Sequence, residues 1–109
     1  MNVRLYVWQR ATAALMLPLL LVHIAVIFYA TRKGMTAAEI LARTRGSIVW
    51  ASFYGLFVAA AAIHAAIGVR NVLTEWSTLD DRRAAIFAIA FGLSLLVLGF
   101  RAVTAVVLT

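Results

Sequence analysis

Two histidines carry most of the chemistry open to this sequence, and both sit in stretches without a charge. His23 lies in LLLVHIAV and His64 in AAAAIHAAIG. An ionisable ring in a bilayer is costly and needs a partner or a job. An imidazole can hydrogen-bond to a neighbouring helix, relay protons or ligate a metal. The small side chains around His64 would lay a flat trench along a helix. Such a trench serves either close helix packing or a planar macrocycle whose iron the imidazole reaches. His64, Gly68, Asn71 and Glu75 recur at helical spacing and share one face. Gln9, Ala13, Met16, Leu20 and His23 form a similar stripe. For His23 the residues alone favour an interhelical hydrogen bond.

Arg10 stands at the entrance of the first apolar run and Arg70 at the matching end of the second. Long cationic side chains at such places snorkel to head groups. They could equally supply donors to carboxylates or to a quinone carbonyl near the interface. The two histidines are not placed to share one iron. His23 lies past the middle of its run toward the first loop, and His64 past the middle of its run toward the second. In antiparallel helices those offsets add to ~13 Å of depth at helical rise. Each histidine would take its second axial partner from another chain.

The elements that must hold these residues are three membrane-spanning helices. The chain has 109 residues, 65% hydrophobic and 13% charged. Too little polar sequence remains to clothe a water-soluble domain of this size, and disorder is excluded by the same numbers. Residues 11–30 and 47–69 carry no charge, and each is long enough to cross a hydrocarbon layer of ~30 Å. A third run, 84–108, is broken only by Arg101 near its far end. The first run is read as a retained helix and not as a cleaved signal. Pro18 inside it favours a kink. The expected helices are about 8–30, 47–76 and 79–108. A short amphipathic helix at 37–43 is opened by Thr36 and Glu39 in capping-box spacing. Ser77 or Thr78 is the expected cap of the last helix. All of 1–109 reads as a single transmembrane domain of all-α class.

The absence of cysteine removes a disulfide scaffold and any iron–sulfur cluster held by this chain. Ten basic residues face four acidic ones. They cluster at the ends of the apolar runs, which points to lipid head groups and not to nucleic acid. Basic residues divide almost evenly between the two sides, so charge does not orient the chain.

Together these features resemble the cytochrome b membrane-anchor subunit of succinate dehydrogenase and fumarate reductase, over all three spans and in their order. That family opens its first helix with His-Arg-x-(Ser/Thr)-Gly, where this chain has Gln9-Arg10-Ala11-Thr12-Ala13. Its second helix carries His-x-x-x-Gly-(Ile/Val)-Arg and then an acid. Here those positions are His64, Gly68, Val69, Arg70 and Glu75. Family forms with two haems have a histidine fourteen residues after the first motif position, which is His23 here.

The resemblance implies haem b, one or two, shared with a partner chain that completes a haem-binding helical bundle. His64 would be an axial ligand of the haem nearer the cytoplasmic face, and His23 a ligand of a second, deeper one. Arg10 and Arg70 would lie near propionates. Arg10, Gln9, Thr12 and Trp76 would line a quinone site. The implied partners are a second membrane-anchor chain or another copy of this one, an iron–sulfur subunit and a flavoprotein subunit. Electrons would pass between the last cluster and membrane quinone. The location would be a bacterial inner membrane, with the N-terminus cytoplasmic. Gln9 and Ala13 depart from the family's histidine and glycine. Two other readings stay open: a haem-free structural or assembly subunit of the same fold, and a small proton-coupled transport protein.

Overall fold

The computed structural model describes residues 2–108. Four helices follow one another: α1 (Val3–Lys33), α2 (Ala37–Thr44), α3 (Ile48–Trp76) and α4 (Asp81–Val107). Among the described residues there is no strand. The three long helices contain 31, 29 and 27 residues, each long and apolar enough to span a membrane. The bundle measures 48 × 24 × 22 Å, its long axis set by the length of a single helix.

α1 begins earlier than the apolar run suggests. Asn2 accepts a hydrogen bond from the Leu5 N–H at 2.9 Å and caps the helix, so residues 3–7 join the helix ahead of the uncharged stretch. Pro18 lies inside the continuous helix. At the other end Gly34 adopts φ 64°. Its N–H bonds Thr31 O, and the Met35 N–H bonds Ala30 O. This left-handed closure satisfies carbonyls that a helix end otherwise leaves orphaned.

α2 is capped by Thr36, whose Oγ1 accepts from the Glu39 N–H at 3.2 Å. Its far end docks onto the end of α4. Thr44 Oγ1 donates to Val106 O at 2.7 Å, and the Gly46 N–H donates to Val107 O at 2.6 Å. Loop one thereby closes two of the last carbonyls of α4, groups costly to bury unpaired.

The cap of α4 is Asp80 and not Ser77 or Thr78. Asp80 Oδ1 accepts from the Arg83 N–H at 2.8 Å. Ser77 is already committed, since its hydroxyl donates to Leu73 O at the end of α3 and accepts from the Leu79 N–H. Asp80 is an equally good cap and adds negative charge at the positive helix end.

α3 is the middle helix, packed against α1 on one side and α4 on the other. Deep burial falls mostly on small residues: Ala60, Ala62, Ala84 and Ala88, with Ile67 and Val107. A Cβ added to Gly92 would lie 2.9 Å from Ala66 Cβ and 3.5 Å from Ala62 O. Part of the alanine run of α3 is therefore taken up by close packing of α4 against it, the way small residues usually join membrane helices. Large apolar side chains such as Leu17, Leu21, Phe28, Phe87 and Val97 face outward, as suits lipid.

Candidate functional site

The seam between α1 and α3 holds both histidines and their hydrogen-bond partners. His64 turns toward α1, where its Nδ1 lies 3.1 Å from Thr12 Oγ1. Thr12 is 4% exposed. Its hydroxyl also approaches Trp8 O at 2.7 Å and Gln9 O at 3.1 Å. Two oxygens at 2.7 Å need a proton between them, and a carbonyl has none to give. The single hydroxyl hydrogen of Thr12 therefore points to Trp8 O, and Oγ1 receives the His64 Nδ1–H. In the neutral ring this selects the Nδ1–H tautomer and leaves the lone pair on Nε2, the form of imidazole that ligates a metal.

Next to this pair, the space left by Gly68 is met by the Gln9 amide. A Cβ there would be 3.6 Å from Gln9 Nε2. Gln9 Oε1 is buried and has no hydrogen-bond partner among the described residues. A buried acceptor left unpaired costs about 1–3 kcal/mol, so this layer is set up for a further polar group.

His23 lies on the other level of the seam. Its Nδ1 is 3.2 Å from the Tyr54 hydroxyl. Its ring meets those of Tyr54 and Phe57 edge-on, each with centroids 5.4 Å apart. A phenol can donate or accept, so Tyr54 does not fix which ring nitrogen of His23 carries the proton. A cleft of about 330 Å³ opens beside the ring, lined by Thr44, Tyr54, Val58, Gly99 and Val106 among others. Ten residues of α3 separate the two partners Tyr54 and His64, about 15 Å of helical rise.

The remaining candidates are spread out. The Arg10 guanidinium folds back over the Tyr6 ring, 5.7 Å from its centroid. Arg70 is half-buried near the end of α3. It stands six positions past His64, off the His64 face by helical geometry. Trp76 is 83% exposed at the end of α3 and does not join the Gln9–Thr12 cluster. The structure thus brings together Gln9, Thr12, Gly68 and His64, and leaves Arg10, Arg70 and Trp76 at the rim.

Sequence reasoning missed Tyr54 as the partner of His23. A signal was available. The pairs Gln9–Gly68, Thr12–His64 and His23–Tyr54 have residue numbers summing to 76 or 77. One antiparallel register generates all three, so fixing one pair gives the others.

Residues 1–108 match the family described as succinate dehydrogenase/fumarate reductase transmembrane subunit. The chain belongs to that family. No curated protein and no solved structure matches it. A haem ligand needs an imidazole nitrogen with its lone pair available. An imidazole with an uncommitted Nε2, in a seam that also holds an unpaired buried amide oxygen, fits an axial ligand at His64. His23 fits less closely, because its tautomer is not fixed by what surrounds it.

Proposed function

We propose that this transmembrane subunit is the cytochrome b anchor of a succinate dehydrogenase or fumarate reductase. It would hold a flavoprotein and an iron–sulfur subunit at the membrane and serve electron exchange with quinone. The observation that carries the reading is the 3.1 Å contact between Thr12 Oγ1 and His64 Nδ1, which leaves Nε2 of the neutral ring without a partner among the described residues. His64 would be a residue that holds haem b. When bound, the haem supplies one-electron redox chemistry at the membrane end of the chain of carriers.

Several of the chain's own residues have definable tasks in this reading. With His23 some 15 Å away along the helices, a second anchor chain or another copy of this one would complete the hold on the haem. His23, whose tautomer its surroundings leave open, would ligate a second haem. Arg10 and Arg70 supply cations at the rim, suited to propionates, and Arg10 with Gln9 can donate to a quinone carbonyl. Trp76, exposed at the end of α3, offers an aromatic face where α3 leaves the membrane. The N-terminus would face the cytoplasm of a bacterium, where the soluble subunits dock.

Purification of the complex through a tag on this chain tests the proposal. Flavoprotein and iron–sulfur subunits should copurify, with a reduced b-type band in the visible spectrum. A colourless complex that retains both soluble subunits would overturn the haem reading in favour of a structural subunit. Proton flux through liposomes holding this chain alone would favour transport.

A further inference from the structure

We propose that Thr12 is the positioning residue of the His64 ligand, setting its tautomer and lowering the potential of the iron it binds. The inference deepens the reading of His64 as a haem ligand and rests on it. It gives Thr12 a task other than quinone contact. Three contacts already engage the hydroxyl: it donates to Trp8 O and accepts from His64 Nδ1, with Gln9 O next to it. At 4% exposure the side chain presents no free polar surface to a quinone at the rim.

The arrangement follows from local rules. A threonine inside a helix commonly turns its hydroxyl back to the carbonyl four residues earlier, and its branched Cβ restricts the rotamer. The back-bond to Trp8 O therefore uses the hydroxyl hydrogen and turns a lone pair of Oγ1 away from its own helix. α3 delivers His64 Nδ1 to that lone pair. Hydrogen bonds in a row polarise one another. The Trp8 carbonyl draws on the hydroxyl proton, which makes Oγ1 a better acceptor for Nδ1–H and the imidazole a more basic ligand. Such partners of a ligating histidine fix ring orientation and raise ligand basicity. A more basic ligand stabilises ferric over ferrous iron, so the potential falls. A threonine that only filled space would have no such effect.

The test uses the whole complex and a redox titration of the b-type band. Thr12→Val keeps the shape and removes the acceptor. The potential should rise, and haem bound per flavin at limiting haem should fall by about 10-fold or more. Thr12→Ser keeps the hydroxyl and should restore both. Thr104→Val removes a hydroxyl whose one partner among the described residues is Arg101 O, and should change neither. Should the valine variant fail to assemble, Thr12→Cys against Thr12→Ser decides, because a thiol is a weak acceptor. The cysteine variant should have the higher potential, and equal potentials overturn the inference. A Thr12→Val complex with unchanged potential overturns it as well, as does one in which only the KM for quinone moves. A wild-type complex without any b-type band overturns instead the underlying reading of His64.

Discussion

At the level of Thr12 and His64 the α1–α3 seam is aliphatic and hydroxylic, whereas at the level of His23 and Tyr54 it is aromatic and opens on a cleft. The same side chain stands in both layers, hydrogen-bonded through the same ring nitrogen at nearly the same distance, 3.1 Å and 3.2 Å. What differs is the freedom of the partner. Thr12 has spent its only hydrogen on a backbone carbonyl, so His64 must donate. Tyr54 has no such commitment, so its pairing with His23 can run in either direction. The backing differs too. Behind His64 the backbones of α3 and α4 close on each other at Gly92, with Ala62 and Ala66 on either side of the histidine. Behind His23 lies the cleft of about 330 Å³, beside a second of about 350 Å³ lined by Trp50, Tyr54 and Tyr29. The suitability of a buried histidine as a ligand is thus decided by what holds its other nitrogen, and two histidines of one chain can differ on that point alone.

The largest expected effect separates the layers directly. His64→Ala should abolish the b-type band of the purified complex that depends on this layer. His23→Ala should leave that band in place, and if a second haem is bound there, should remove only a distinct second component. Difference spectra of the two variants at matched flavin content make the comparison. Loss of every band in His23→Ala alone would break it, because it would move the ligand to the aromatic layer.

A smaller effect is expected from the backing of the His64 layer. Gly92→Leu forces a side chain where even a Cβ meets Ala66 at 2.9 Å. Overpacking of this kind costs ~3 kcal/mol. Assembled complex recovered from membranes should fall several-fold, and the haem of the His64 layer with it. Gly68→Ala is the control on the opposite face, where the nearest atom is Gln9 Nε2 at 3.6 Å, an ordinary contact. Its complex should be recovered at wild-type level. Equal losses in the two variants would mean that close α3–α4 approach is not what fixes the His64 face.

Much of this arrangement was legible in the residues themselves. Charge-free runs longer than a bilayer is thick leave little choice but three spans, and the spacing of His64, Gly68 and Asn71 identifies a face. The use of the alanines was not legible, because packing and ligand room both demand small side chains, and only the position of Gly92 shows which ones α4 takes. The early start of α1 was hidden by Arg4 and Arg10, which mark the edge of the apolar stretch but not of the helix. Asp80 rather than Ser77 caps α4 because Ser77 was needed to close α3, a competition that a list of good cap residues does not contain. Tyr54 read as one more aromatic in a span. Its contact with His23 depends on the register between two helices, and register is a relation between segments that neither segment states alone.

The smallest effect expected is that of Tyr54→Phe, and it sharpens the contrast because so little should change. The substitution keeps the ring that meets His23 edge-on and its neighbour Trp50, which stacks on it at 5.7 Å. It removes only the hydroxyl. The loss of one hydrogen bond is worth about 1 kcal/mol, and thermal inactivation of the complex should shift only slightly. Because phenol and imidazole here can exchange roles, the hydroxyl does not impose a tautomer, and its removal should not move the potential of the His64 component. A redox titration beside that of Thr12→Val reads the difference: the threonine variant should shift and the tyrosine variant should not. An equal upward shift in Tyr54→Phe would show that the two layers communicate across about 15 Å of helix, and that the committed hydrogen of Thr12 is not what sets them apart.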